Sequence, residues 1–92
     1  MKYEWDDNKC AANLQKHGLS FEDAELVFSG ACITGQDNRY DYGELRFITV
    51  GALEGRVVVI AHTPRDETTR IISMRKANKR EQESYKKRLG KT

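Results

Sequence analysis

The sequence predicts an α+β domain in which helices pack on an antiparallel sheet, in the element order βααββββα. Apolar residues repeat at helical spacing over the first third of the chain, whereas they alternate or run continuously between residues 45 and 75, as strands require. Strong helix formers then continue until Gly90. The sequence has no linker, repeat or low-complexity stretch, so we expect one domain over residues 1–92.

Two helices follow a short N-terminal strand. Asp6 or Asp7 provides a carboxylate N-cap for the first helix, and Gly18 ends it. Ser20 begins the second helix, whose apolar stripe we expect in the core together with Trp5.

Four strands and a last helix complete the predicted fold. Residues 57–61 are apolar on both faces, which is typical of a central strand covered on both sides. Turns are expected over residues 53–55 and 64–67, where glycine or proline interrupts the apolar pattern. The predicted strands span about residues 2–5, 31–34, 45–50, 57–61 and 68–75, and the predicted helices span about residues 7–17, 20–29 and 76–89.

The net charge of +2 conceals two halves of opposite sign. Residues 1–54 contain five Lys or Arg and ten Asp or Glu, whereas residues 55–92 contain eleven and four. The basic C-terminal half predicts a surface that binds a polyanion, with nucleic acid as the first candidate and an acidic protein as the second.

Cysteine and histidine content argues against a disulfide framework and a zinc site. Cys10 and Cys32 form no CxxC pair, and the two histidines are far apart in sequence. We therefore expect no metal and no other cofactor. The N-terminus lacks the apolar segment of a signal peptide and no apolar run can span a bilayer, so we expect a cytoplasmic protein with reduced thiols and no membrane contact.

Charged residues interrupt the strand predicted over residues 68–75. Strict alternation places Arg70 on one face of that strand and Arg75 on the other. A half-buried guanidinium requires a partner, and phosphate fits its planar donor fork well. The alternative is that these arginines pair with carboxylates of the protein, for which the candidates are Glu44, Glu54 and Asp66.

A compact anion site is predicted where this strand meets the last helix. Glu81 and Tyr85 share one face of that helix because they are four residues apart. Glu81 can pair with an arginine or accept a proton, and Tyr85 can contact RNA or pack on the sheet. His62 ends the central strand and is a candidate for acid–base catalysis or a half-buried structural residue. The expected nucleic-acid-binding residues are Arg46, Lys76, Lys79, Arg80, Lys86, Lys87 and Arg88. For Lys79, Lys86, Lys87 and Arg88, the alternative is a solvated face of the helix.

An arginine-rich site poor in metal ligands predicts a metal-independent mechanism if RNA is cleaved. A base deprotonates the 2′-hydroxyl, guanidiniums stabilise the pentavalent phosphate, and an acid protonates the leaving oxygen.

Two groups of motifs near the ends of the chain are specific when taken together. Residues 5–9 with 13–24 form the first, and residues 70–77 with Glu81 and Tyr85 form the second. With the segments 43–46, 51, 55–57 and 61–65 between them, the chain resembles the BrnT family of bacterial toxins over nearly its whole length. The departures are Met74, where a small residue is expected, and Ser29-Gly30, which replaces a common Asp-Pro.

The resemblance implies a RelE/ParE-like fold and the toxin of a type II toxin–antitoxin module, a ribonuclease that inhibits translation. It also implies a BrnA-type antitoxin that neutralises the toxin in a hetero-oligomer. Operator DNA is then bound only through that complex, which autoregulates its operon. The catalytic candidates that the resemblance implies are Arg65, Arg70, Ser73 and Arg75, with His62, Glu81 and Tyr85 beside them.

Two other functions are compatible with the sequence. One is a non-catalytic subunit whose basic face binds nucleic acid or an acidic protein. The other is a gyrase-directed poison, because RelE-like members of the superfamily cleave mRNA whereas ParE-like members target gyrase.

Overall fold

A five-stranded sheet with helices on both faces organises the fold. The structure, a computed structural model, describes residues 2–90. It confirms the α+β class, and one 3₁₀ turn, Phe21–Asp23, precedes the second helix. The strands are β1 (Lys2–Glu4), β2 (Cys32–Gln36), β3 (Phe47–Leu53), β4 (Arg56–Arg65) and β5 (Thr68–Lys76), and the helices are α1 (Asp7–His17), α2 (Ala24–Ser29) and α3 (Lys79–Leu89).

The sheet is mixed, so the prediction of a fully antiparallel sheet is wrong. Its strand order is β1-β5-β4-β3-β2, and the pairs from β2 to β5 are antiparallel. β1 instead lies parallel to β5, with Glu4 opposite Arg70. Most of the chain separates these two strands in sequence. No hairpin turn therefore fixes their relative direction, and the apolar pattern of a strand does not encode it.

Two shifted boundaries change where candidate residues lie. β4 extends to Arg65, so His62 lies inside this strand rather than at its end. β5 extends to Lys76, and α3 begins only after its N-cap, Asn78. The Asn78 side chain accepts a hydrogen bond from the Glu81 backbone N–H at 2.8 Å, and the Glu81 carboxylate accepts one from the Asn78 N–H at 2.9 Å. This capping box fixes the first turn of α3 beside the end of β5.

One buried amide attaches α1 to the edge of β5. Asn13 accepts a hydrogen bond from the Met74 backbone N–H at 3.1 Å and donates one to the Leu19 carbonyl oxygen at 3.0 Å. β1 pairs only with residues 68–70 of β5. The Asn13 side chain therefore satisfies a buried backbone donor that β1 does not reach.

The main core lies between the sheet and the layer formed by α1 and α2. β4 is the middle strand, and its buried residues 58–60 confirm the predicted central strand. Trp5 and Phe28 are half-buried and pack against this core, whereas Phe21 is buried inside it. The other buried apolar residues of the core are Leu19, Ala24, Val27, Leu53, Val58, Ile60, Ile71 and Met74.

Both cysteines, Cys10 and Cys32, are half-buried free thiols. Within residues 2–90, no helix combines the length and the apolar character that crossing a membrane requires.

Glycine at position 51 allows a close approach of α2 to β3. A Cβ atom there would lie 2.7 Å from Val27 Cγ1 and 3.1 Å from Cys32 Cβ. Val27 is fully buried, so its side chain has little room to move away.

We expect Gly51→Ala to lower the free energy of unfolding by about 1–3 kcal/mol, because an added methyl group forces neighbouring side chains or the backbone to shift. Equilibrium unfolding in urea measures the change. Gly35→Ala in β2 is the matched control, since no atom lies within 4 Å of a Cβ at that position. Equal stability of the two variants would contradict the close packing of α2 on β3.

Candidate functional site

Four predicted catalytic residues lie on the sheet face that points away from α1 and α2. Thr63 and Val59 are an even number of residues apart in β4, so their side chains share one face of the sheet. Arg70 lies opposite Thr63, and Arg75 lies opposite Val59, which places both arginines on that face. We call this surface the arginine face; the register of β4 and β5 assigns to it Arg65, Arg70, Ser73 and Arg75.

A β-bulge in β5 produces this arrangement, and the strict alternation predicted for the strand is wrong. The pairing register skips one residue of β5 opposite the junction of Ala61 and His62, which leaves Ile72 as the extra residue. A bulge of one residue shifts all later side chains of a strand by half a period. Arg70 and Arg75 therefore share a face although five residues separate them.

Arg75 forms a two-pronged ion pair with Glu81. Its Nη1 and Nη2 atoms donate to Glu81 Oε1 and Oε2, each at 2.8 Å. The hydrogen bond to Arg75 is the main cause that lowers the pKa of Glu81, so the carboxylate is ionised at neutral pH. The same hydrogen bond raises the pKa of Arg75. The capping box at Asn78 holds Glu81 in place, so the helix start also positions the guanidinium.

Arg70 pairs with Glu4 across the parallel strands. Its Nη1 atom donates to Glu4 Oε2 at 2.7 Å. The arginines of β5 therefore do pair with carboxylates, but the partners are Glu4 and Glu81. None of the three carboxylates proposed from the sequence takes this role, and one of them, Glu44, pairs with Arg46 at 3.2 Å instead.

Arg65 and Ser73 complete the arginine face without such pairing. Arg65 is exposed at the end of β4, and Ser73 is half-buried opposite Ala61. Within residues 2–90, neither side chain has a hydrogen-bond partner or an ion pair.

His62 lies on the opposite face of the sheet, inside the core. Its Nε2 atom is 2.8 Å from Thr49 Oγ1, and its ring packs against Phe28 and Phe47. Burial lowers the pKa of His62, so the ring is neutral at neutral pH. The structure does not bring this candidate together with the arginines.

Tyr85 is buried where α3 packs on the sheet. Its hydroxyl donates to the Ala31 carbonyl oxygen at 2.6 Å, which ties α3 to the start of β2. Ile33 and Val50 line the same groove of about 260 Å³. Of the two alternatives left open by the sequence, the structure therefore favours packing for Tyr85.

The predicted nucleic-acid-binding cations lie on the loop between β2 and β3, at the end of β5 and on α3. Arg46 lies 4.0 Å from the ring centre of Tyr42, on the loop between β2 and β3. Lys76 is exposed at the end of β5, beside the start of α3. The remaining cations are exposed on α3, namely Lys79, Arg80, Lys86, Lys87 and Arg88.

Sequence reasoning missed two contributions to the site. Glu4 comes from the N-terminal strand, and its role depends on the parallel pairing of β1 with β5. The other is Arg39, whose positive charge is a minor cause of the lowered pKa of Glu81. The sequence offers only a polar loop at this position.

Comparison with known families assigns the chain. The sequence model of a family described as "Ribonuclease toxin, BrnT, of type II toxin-antitoxin system" matches residues 5–81 of the 92. The chain belongs to the BrnT family. No curated relative matches it at a significant level. A type II family implies an antitoxin protein as partner, and the matched region contains the whole arginine face.

Within residues 2–90, no group of three or more His, Cys, Asp or Glu side chains is placed to hold a metal ion.

The burial of neutral His62 predicts a loss of stability as the pH falls. Its pKa is lowered in the folded protein, so below about pH 6.5 the unfolded chain takes up the proton first. The free energy of unfolding should decrease as the pH falls from about 6.5 to the pKa of His62 in the folded protein. Below that pKa, His62 should cause no further change in stability. Urea unfolding between pH 5 and 7.5 measures the slope, and His62→Gln should flatten it. An equal slope in both proteins would show that His62 is not buried in its neutral form.

Proposed function

We propose that the arginine face of this BrnT-family toxin binds RNA and cleaves it without a metal ion. The observation that carries the proposal is that Arg65, Arg70 and Arg75 share one sheet face with Ser73. Neither Arg70 nor Arg75 uses all of its five N–H donors in its ion pair. The remaining donors can bind and polarise a phosphodiester, whose charge grows in the transition state.

Glu81 is the acid–base candidate that lies beside this face. Oε1 accepts hydrogen bonds from Arg75 and Asn78, whereas Oε2 accepts one from Arg75 alone, which leaves a lone pair of Oε2 for a proton. When Arg75 turns its donors to a phosphate, the group that lowers the pKa of Glu81 is partly withdrawn. Glu81 then becomes a stronger base at the moment when the 2′-hydroxyl must lose its proton.

The cleavage step follows from this placement. The 2′-oxygen attacks phosphorus and loses its proton to Glu81, the bond to the 5′-oxygen breaks, and that oxygen takes a proton from solvent. The guanidiniums and the Ser73 hydroxyl stabilise the pentavalent phosphate. The products are a cyclic phosphate and a 5′-hydroxyl end.

We further propose that the fold is RelE/ParE-like and that the partner is a BrnA-type antitoxin. The strand and helix order and the family support both. The toxin would act in the cytoplasm, form a hetero-oligomer with the antitoxin, and reach operator DNA only through that complex, which autoregulates its operon.

Expression with and without the neighbouring gene, with growth and translation as readouts, tests the proposal of a toxin and its antitoxin. DNA-damage signalling without translation arrest would favour a gyrase poison.

Cleavage of RNA in excess EDTA tests the proposed activity. We expect cleavage to persist and to fall by about 10²–10³-fold in Arg75→Ala and in Arg70→Ala, because each removes a preorganised donor to the phosphate. Arg56→Ala, at the start of β4 and on the sheet face opposite to Arg75, is the matched control and should cleave normally. Intact RNA at high concentrations of the folded toxin would contradict the proposal and favour a non-catalytic binding subunit.

The variant Glu81→Gln tests whether Glu81 accepts a proton during cleavage or only positions Arg75. If Glu81 is the base, kcat should fall by about 10²–10⁴-fold and the acid limb of the pH–rate profile should disappear. A rise in KM with an unchanged profile would contradict the role as base.

The cations of α3 should add affinity that depends on salt. For single-stranded RNA, the slope of log K against log salt should shrink by about 0.7 for each phosphate that the protein no longer neutralises. The double variant Lys86→Ala/Lys87→Ala should therefore bind more weakly and show a slope smaller by up to about 1.4. Lys9→Ala/Lys16→Ala on α1 is the matched control with the same change in charge. An equal effect in both variants would mean that α3 makes no specific contribution.

A further inference from the structure

The loop between β2 and β3, residues 37–46, is organised by one carboxylate. Asp37 accepts hydrogen bonds from the Arg39 Nε and Nη2 atoms at 2.9 and 3.0 Å, from the Arg39 backbone N–H at 3.2 Å, and from the Tyr42 hydroxyl at 2.9 Å. The backbone N–H of Asp37 also donates to the Arg46 carbonyl oxygen at 2.8 Å, which closes the loop. Its side chain is only 4% exposed. The loop is therefore held in one shape although it contains no regular structure.

This loop presents an aromatic ring that the core does not use. Tyr40 is 69% exposed, the largest exposed fraction of any large apolar side chain within residues 2–90. Its ring lies edge-to-face against Tyr42, with centroids 5.8 Å apart, and the Arg39 guanidinium lies 5.9 Å from its centre. These neighbours position the ring but leave most of its surface to solvent.

The loop lies at the border of the arginine face. The Thr63 hydroxyl donates to the Leu45 carbonyl oxygen, and Thr63 is the residue opposite Arg70. A ligand that spans the arginine face would therefore pass close to this loop.

We propose that Tyr40 is a stacking site for one base of single-stranded RNA, next to the phosphate held by the arginine face. Aromatic rings interleaved with cations are typical of sites for single-stranded nucleic acid, because the base stacks while the cations bind its phosphates. Here Arg39 and Arg46 flank the aromatic pair. A purine offers a larger stacking surface than a pyrimidine, so the site favours a purine. This inference rests on the proposed ribonuclease function and assigns a base-binding residue to it.

Binding of the full chain to a 2′-O-methyl RNA tests the inference, because this RNA lacks the attacking hydroxyl and stays intact. Fluorescence anisotropy should show Tyr40→Ala binding about 5- to 100-fold more weakly than the unaltered protein. Tyr40→Phe should bind within about twofold, since it keeps the ring. Leu26→Ala is the control for losing an exposed apolar side chain, because Leu26 is 58% exposed on α2, behind the opposite face. All three variants should keep the unfolding temperature.

Replacing single nucleotides by abasic ones locates the stacked base. At one position the abasic RNA should bind equally to the unaltered protein and to Tyr40→Ala, because no base remains to stack. An equal affinity of Tyr40→Ala and the unaltered protein for the intact RNA would overturn the stacking site, while RNA cleavage by the unaltered protein would leave the proposed function standing. If the unaltered protein neither binds nor cleaves RNA, both proposals fail. Weaker binding of Tyr40→Ala to the antitoxin but not to RNA would assign the loop to the protein partner and overturn the inference.

Discussion

The β-bulge at Ile72 is the constraint on which the arginine face depends. A regular strand would alternate sides and could not place Ile71 and Met74 in the same core, yet both are buried. The extra residue allows both to enter the core and, by the same shift, turns Arg70 and Arg75 toward the same side of the sheet. Packing of the core and assembly of the site are thus two results of one irregularity in β5.

The elements around the bulge hold it in place. Asn13 of α1 binds the Met74 backbone N–H just after the extra residue, and β1 pairs with the strand just before it. Backbone groups at the edge of β5 are therefore bonded on both sides of the irregularity. α1 and β1 contribute to the site in this indirect way, although they lie at the opposite end of the chain.

Carboxylates of the protein position the two arginines that we propose bind a phosphate. Glu81 and Glu4 offset the cost of partly burying Arg75 and Arg70 and keep the side chains extended over the sheet. A phosphodiester bound there meets guanidiniums that are already oriented, and it competes with carboxylates for part of their donors. The proton affinity of Glu81 is linked to this competition, because its pKa is lowered mainly by Arg75. In the proposed mechanism, binding of the phosphate and activation of Glu81 as the base are therefore coupled through one ion pair.

The sequence by itself determined the α+β class, the central strand, the caps of the first helix and the charge of the C-terminal half. These features depend on local patterns of apolar, capping and charged residues, which a sequence displays directly. Only the tertiary structure decided the parallel pairing of β1, the face that each arginine occupies, and the burial of His62 and Tyr85. These depend on strand direction, on one unpaired residue in β5, and on contacts between residues far apart in the chain, such as Tyr85 with Ala31. No local pattern encodes such contacts, because each arises only when the sheet assembles.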